Sequence, residues 1–284
     1  MLATDRRTRI LERVAEEQTI RIGELAQEFG VSEMTIRRDI AKLERTGFLR
    51  RTYGGATAHQ TRSLDPAFNT RSLQNATAKR LIAMRAVALM GDASTIFIGT
   101  GTTTEQFARL MPARDDFTVV CESLPVAGLL GTRKTRVVVL GGVVHQDELS
   151  CVGPVAANTV RRYYADVAVL GAAGLTPRHG ITELFEEEAE NHRLMIEHSE
   201  RLLLLADGTK LSTHAMARVA PVTAISTLVT DESAPVDVLA ELRAAGVEVV
   251  VAQRPSAAAM IAGRGERLEA SQSGDGRMPG REGH

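Results

Sequence analysis

The sequence predicts an α/β protein in two parts: three short helices and a hairpin over residues 1–57, then a larger domain built on a mostly parallel sheet over 76–253. Three observations predict it. Seven apolar, β-rich runs (95–98, 117–121, 136–140, 166–170, 202–206, 225–229 and 247–251) alternate with helical or loop stretches, the pattern of buried parallel strands joined by crossover helices. Before residue 57 the apolar period is helical instead. Between the two, residues 58–75 are polar and nearly aperiodic and read as a linker, and 254–284, rich in Gly, Ser and charge, reads as a disordered tail.

The N-terminal elements follow in order. Ile10, Leu11 and Val14 make an apolar stripe for a first helix; Ile22, Leu25, Ala26 and Phe29 make a second, with Gly30 as its stop. Ser32 can cap a third helix that runs to about Thr46, before Gly47. FLRRTYGGA follows, with β-formers Phe48, Leu49, Thr52 and Tyr53 around two arginines and a Gly-Gly turn. Helix, helix, turn, helix, hairpin is the order of a winged helix-turn-helix.

On a wheel of the third helix, Ile36, Ile40 and Leu43 share one face, while Met34, Arg38, Ala41 and Arg45 share the opposite one. Thr35, Lys42 and Arg37 flank that outer face. Cations there can hold phosphates, and short side chains near the helix start can reach base edges. Asp39 lies off this face, where it suits an intramolecular ion pair with Arg9 or Arg13. Through Arg62 twelve Lys/Arg face nine acids, a charge of +3, which leaves -4 for the rest; the asymmetry fits an anionic partner at the N-terminus.

In the larger part, STIFIGTGTTTEQFARLM reads as a strand, a Gly/Thr loop and the start of a helix. Glycines let backbone N–H groups approach an anion, threonine hydroxyls add donors, and the helix N-terminus favours negative charge. The carboxylates of ELFEEEAE (183–190) read as an acidic solvent face rather than an acid–base pair. Cys121 ends an apolar run and reads as a small buried hydrophobe. His145, His179, His192, His198 and His214 lack HxxxH or HExxH spacing, so no metal and no cofactor are expected. The apolar runs are strand-sized and no secretory h-region is visible, so a cytoplasmic protein without a membrane partner is expected.

Thr35-Ile36-Arg37-Arg38-Asp39-Ile40, with Leu43 and then Gly47-Phe48-Leu49-Arg50-Arg51-Thr52-Tyr53-Gly54-Gly55-Ala56, resembles the DeoR-type transcriptional regulators, whose signature pairs S-x-x-T-I-R-R-D-[LI] with a wing ending in Gly-Gly-Ala. The resemblance implies double-stranded operator DNA as partner, with Ser32, Met34, Thr35, Arg37, Arg38, Lys42, Arg50 and Arg51 at the interface. Further on, Lys79-x-x-Ile82-Ala83, the GTGTTT loop, Gly141-Gly142, Asp166-x-Ala168-x-x-Gly171 and Leu205–Lys210 stand in the order of the DeoR-type sensor domain. That domain is a Rossmann-like α/β fold similar to ribose-5-phosphate isomerase. The resemblance implies a small-molecule effector, a phosphorylated sugar, with Gly99, Thr100, Gly101, Thr102, Thr103, Thr104, Glu122, Ser123, Gly141, Gly142 and Lys210 as its site.

At four places the sequence departs from the family pattern: Gly99 stands for a usual Asp, Cys121-Glu122-Ser123 for Thr-Asn-Ser, His145 for an arginine and His192 for a lysine. Two lost cations and a new carboxylate point to an effector less negative than a doubly ionised sugar phosphate. Enzyme chemistry is not expected, because Leu170-Gly171-Ala172-Ala173-Gly174 has no acid where the isomerases carry Asp-Gly-Ala-Asp-Glu. The resemblance thus implies a repressor of a carbohydrate-catabolic operon that acts as a dimer or tetramer, since one winged helix reads few base pairs. Isomerase-like enzyme and purely oligomerising second domain are the alternatives.

Overall fold

The structure is a computed structural model. It describes residues 19–45, 49–52, 54–58 and 68–253, together with residues 3, 6, 7, 9, 10, 13 and 14. Gly47, Phe48 and Tyr53, residues 59–67 of the linker expected over 58–75 and the tail expected from 254 lie outside the described residues.

Residues 3, 6, 7, 9, 10, 13 and 14 are helical, and Ile10 and Val14 are fully buried. A short strand, β1 (Thr19–Arg21), leads into α1 (Ile22–Phe29), and α2 (Glu33–Arg45) follows. Gly30, at φ 64°, ends α1 in the left-handed conformation, and the Val31 N–H bonds back to the Ala26 carbonyl at 3.0 Å. The hairpin β2 (Leu49–Thr52) and β3 (Gly55–Ala58) then pairs with β1, giving the antiparallel order β1-β3-β2. Ile20, Leu25, Ile36, Ile40, Leu49 and Ala56 close a core over Ile10 and Val14.

After α3 (Phe68–Arg71) and α4 (Ala76–Ala88), the chain alternates through β4 (Thr95–Ile98), α5 (Thr102–Leu110), β5 (Thr118–Cys121), α6 (Leu124–Leu130) and β6 (Arg136–Val139). A hairpin, β7 (Val143–His145) and β8 (Ser150–Val152), precedes α7 (Pro154–Val160) and β9 (Val167–Leu170). Next come β10 (Gly174–Thr176), β11 (Gly180–Glu183), α8 (Glu186–Glu197), β12 (Leu202–Leu205), β13 (Ala217–Ala220), β14 (Thr227–Asp231), α9 (Val236–Ala244) and β15 (Glu248–Ala252). The seven runs expected as strands are the seven members of one parallel sheet, in the order β15-β14-β12-β9-β4-β5-β6.

Both faces of that sheet are apolar because alternate residues bury on opposite sides. Ile96, Ile98, Val167, Val169, Leu203 and Leu205 pack on one side with Phe107 and Ile82. Phe97, Ala168, Leu170, Leu202 and Leu204 pack on the other with Met195 and Leu242. Chain order reverses between β4 and β9, a topological switch point, and in parallel sheets ligand crevices open at the carboxyl ends of strands there.

Two expectations need correction. Residues 68–75 are no spacer: Phe68 is buried, its N–H donates to the Asp147 carbonyl at 3.2 Å, and Arg71 pairs with Glu148. Of its polar side chains, Arg71 serves a largely buried ion pair, while Asn75 stays exposed. ELFEEEAE is no uniform solvent face either, because it straddles β11 and α8. Glu183 and Glu188 turn inward and are 7% and 1% exposed, while Glu186 and Glu187 remain outside.

Candidate functional sites

The outer face of α2 carries the side chains expected on it. Ser32 Oγ accepts the Thr35 N–H at 3.2 Å and lies 2.9 Å from Thr35 Oγ1, so both hydroxyls shape the helix start. Met34 is 58% exposed, and Arg37, Arg38 and Lys42 are exposed along the same side. Arg37 sits 3.3 Å from Glu33, a half-exposed pair that contributes little to stability. The wing is pinned to the end of α2: Glu44 accepts the Arg51 N–H at 3.0 Å, and the Arg51 side chain is exposed beside it. The Arg50 side chain lies outside the described residues.

Asp39 does make an internal ion pair, but its partner is Arg6 at 2.6 Å, not Arg9 or Arg13. Arg6 precedes Ile10 by one turn and shares its buried face, whereas Arg9 is exposed and Arg13 lies 3.6 Å from Glu28.

A cavity of about 70 Å³ opens at the carboxyl ends of β4, β9 and β12. Thr100–Thr103 form one wall, Gly171–Ala173 a second, and Leu205–Asp207 with Thr209 and Lys210 a third. Gly101 has φ 129° and ψ 155°, a conformation for glycine alone, and it delivers the first turn of α5 to the cavity. The helix-start N–H groups there lack intrahelical acceptors, so the loop presents donors to an anion.

Of the expected effector residues, Thr100, Gly101, Thr102, Thr103 and Lys210 line the cavity. Gly99, Thr104, Glu122, Ser123, Gly141 and Gly142 do not lie in its wall. Thr104 Oγ1 donates to the Gly101 carbonyl at 2.8 Å and fixes the turn. Ser123 Oγ caps α6, accepting the Val126 N–H at 3.4 Å. Gly141 and Gly142 have φ of 73° and 99°, and a Cβ on Gly142 would meet the Val152 carbonyl oxygen at 2.6 Å, so this pair makes the turn into the β7–β8 hairpin. Arg71, Gln74, Asn75, Lys79, Glu148, Glu183 and Asp207 also line the cavity, and no local motif marks them as a set.

Glu122 lies beneath the loop, fully buried. Its carboxylate accepts the Thr100 N–H at 2.8 Å and the Asn191 amide at 2.7 Å, and lies 2.7 Å from His192 Nε2. His192 is itself fully buried, with Nδ1 3.4 Å from Glu183. Burial pulls the imidazole's pKa down, but Glu122 and then Glu183 outweigh it and hold it well above its ordinary value. A Cβ on Gly99 would meet His192 Nε2 at 2.8 Å and Leu170 at 2.7 Å, so Gly99 leaves the room that the Glu122–His192 pair occupies. The departures at 99, 122 and 192 are one packed unit under the loop rather than a change in the cavity's wall. Cys121 beside it is fully buried, and burial pushes its thiol up to about 12, an inert group at neutral pH.

Glu188 completes the buried cluster, accepting a hydrogen bond from Ser150 Oγ at 2.6 Å. Burial, with Glu148 and Glu122 nearby, pushes its carboxyl up to about 9. The folded value exceeds the ordinary 4.5, so Glu188 favours folding fully below that pH and loses this contribution as pH rises towards about 9. Glu188→Gln is therefore expected to raise stability at pH 8 by on the order of 1–3 kcal/mol and to change it little near pH 5. Urea denaturation at the two pH values checks this; equal effects at both would contradict it.

Family comparison agrees with these features. Residues 6–62 match the DeoR-like helix-turn-helix domain, and residues 74–232 match the DeoR C-terminal sensor domain. A putative aga operon transcriptional repressor of Escherichia coli O157:H7 is 31% identical over 87% of this chain and 93% of its own. An L-fucose operon activator of Haemophilus influenzae is 33% identical over 80% and 91%. Among solved structures, ribose 5-phosphate isomerase A of Methanocaldococcus jannaschii aligns at 19% identity and a TM-score of 0.37, over 49% of this chain and 55% of its own. Among the described residues, no helix is long and apolar enough to cross a membrane.

Proposed function

The chain belongs to the DeoR family of DNA-binding transcriptional regulators, and we propose that it represses a carbohydrate-catabolic operon and leaves its operator when a sugar-phosphate-type effector fills the cavity at the switch point. One observation supports this reading above the rest: the loop after β4, with a glycine at φ 129° and three threonines, lines one cavity together with Lys210 and Lys79 and with Glu148, Glu183 and Asp207. Cations and backbone donors suit a phosphate, and carboxylates suit sugar hydroxyls as hydrogen-bond donors. Glu122 now supports the same reading, since it braces the loop instead of repelling the ligand. The first relative's name, a putative aga operon transcriptional repressor, supports the direction of control.

On DNA, α2 would lie in the major groove with Ser32, Met34, Thr35 and Arg38 towards the bases. Arg37, Lys42, Arg50 and Arg51 would hold phosphates. Two or four copies would supply the half-sites that one winged helix cannot read. Effector release requires that the ligand bind the DNA-free arrangement more tightly than the DNA-bound one.

Fluorescence anisotropy with duplexes from the promoter region of the chain's own operon tests the DNA half of this reading. Arg38→Ala is expected to weaken the specific complex by roughly 1–3 kcal/mol at physiological salt if the guanidinium meets a base edge. Unchanged affinity would remove Arg38 from the interface. Deleting the gene should raise transcription of the target operon; a fall would make the chain an activator.

A further inference from the structure

One wall of the cavity comes from the segment that joins the two domains. Arg71, Gln74 and Asn75, together with Lys79 at the start of α4, face Thr100–Thr103. The Arg71 guanidinium is 12% exposed and pairs with Glu148, itself 7% exposed. The Glu148 carbonyl in turn accepts the Thr100 hydroxyl at 3.2 Å, so the guanidinium is held beside the anion-binding loop. The backbone around it is fixed: the Lys79 ammonium donates to the Arg71 carbonyl, and Asn75, in the left-handed conformation at φ 52°, donates its amide to Asp207 at 3.4 Å. Two residues beyond Arg71, Leu73 packs against the core of the winged helix.

We propose that Arg71 contacts the anionic group of the effector, and that residues 68–75 carry occupancy of the cavity to the DNA-binding domain through Leu73. The proposal rests on the reading of the cavity as an anion-holding effector site. A guanidinium carries five N–H donors in one plane, so it can hold Glu148 on one edge while a phosphate takes another, or exchange one for the other. Either change shifts the charge balance of an ion pair largely removed from water, where such shifts are felt most. A displaced Arg71 moves a stretch anchored at Phe68 and Asn75, and Leu73 on that stretch packs against the core of the other domain. Occupancy and DNA affinity are thereby linked through a contiguous packed element.

Inorganic phosphate is the probe, titrated into the full chain by calorimetry and thermal shift against chloride at matched ionic strength. Wild type is expected to bind phosphate, and Arg71→Gln to lose at least tenfold in affinity. Because Arg71→Gln leaves a buried carboxylate alone, the double variant Arg71→Gln/Glu148→Gln is measured beside it; it should regain the melting temperature while still failing to bind. Phosphate binding by the double variant at wild-type affinity overturns the role of Arg71 while leaving the cavity reading in place. No phosphate response in wild type overturns the cavity reading, and this proposal with it. Leu73→Ala should bind phosphate within threefold of wild type yet lose most of the phosphate-induced drop in operator affinity. An undiminished drop, or none in wild type, overturns the coupling.

Discussion

Gly55→Val is expected to abolish operator binding while the melting transition of the larger domain stays in place. A Cβ at residue 55 would sit 2.0 Å from the Ile20 carbonyl oxygen and 3.4 Å from Arg21 Cα. Backbone is on the receiving side of that clash, so no rotamer relieves it, and β3 must separate from β1. The register Ile20↔Ala56 and Arg21↔Gly55 would be lost with it. Ala56 is fully buried and Ile22 N–H bonds to the Gly54 carbonyl at 3.0 Å, so the wing and the start of α1 come loose together. Arg51, positioned through Glu44, then has no fixed place on a DNA backbone. A loss of a hundredfold or more in operator affinity, about 3 kcal/mol, follows. Anisotropy and differential scanning calorimetry check the two halves of the expectation. Binding within threefold of wild type would show that the wing adapts.

Glu122→Ala has the largest expected effect on stability, about 3–5 kcal/mol. The carboxylate satisfies the Thr100 N–H, the Asn191 amide and the His192 ring nitrogen, all inside the protein. Truncation strands these donors and removes the negative charge that keeps His192 protonated. The dependence on pH has a definite sign. His192 has a folded pKa raised above its ordinary 6.5, so its contribution is complete below that pH and is lost as pH climbs through the raised value. The gap between wild type and Glu122→Ala should therefore be widest near pH 6 and narrow in alkaline solution. Urea melts across pH 6 to 9 measure it; a gap under 1 kcal/mol, or one constant with pH, would contradict the buried pair.

Much of the parallel sheet was legible in the sequence because strands buried on both faces are continuous apolar runs, as in TIFI and LLLL. Strands β7, β8, β10, β11 and β13 were not, since they are three or four residues long and several hold polar or glycine positions. The strand TIR, also three residues long, has no place in the helix, helix, turn, helix, hairpin order expected from the sequence.

Site residues divide similarly. The loop after β4 could be found because glycines and threonines at one strand end have a chemical meaning on their own. Arg71, Asn75, Glu148 and Glu183 could not, because only the folded chain brings positions so far apart in sequence to one cavity. Glu122 was visible as an odd carboxylate, but its role depends on His192, seventy residues away, and on the space left at Gly99. Gly141 and Gly142 stand outside the cavity wall, and their positive φ serves the turn into the β7–β8 hairpin.

The most direct test of the central claim is a titration of sugar phosphates, with their unphosphorylated sugars and polyols beside them, into the complex of the full chain with its operator. Anisotropy reports the DNA. One phosphorylated sugar is expected to release the duplex and its unphosphorylated counterpart to leave it bound, with a coupling of about 1–3 kcal/mol between effector and DNA. Release by a neutral sugar or polyol alone would contradict it, and would mean that the loop from Thr100 to Thr103 holds no phosphate.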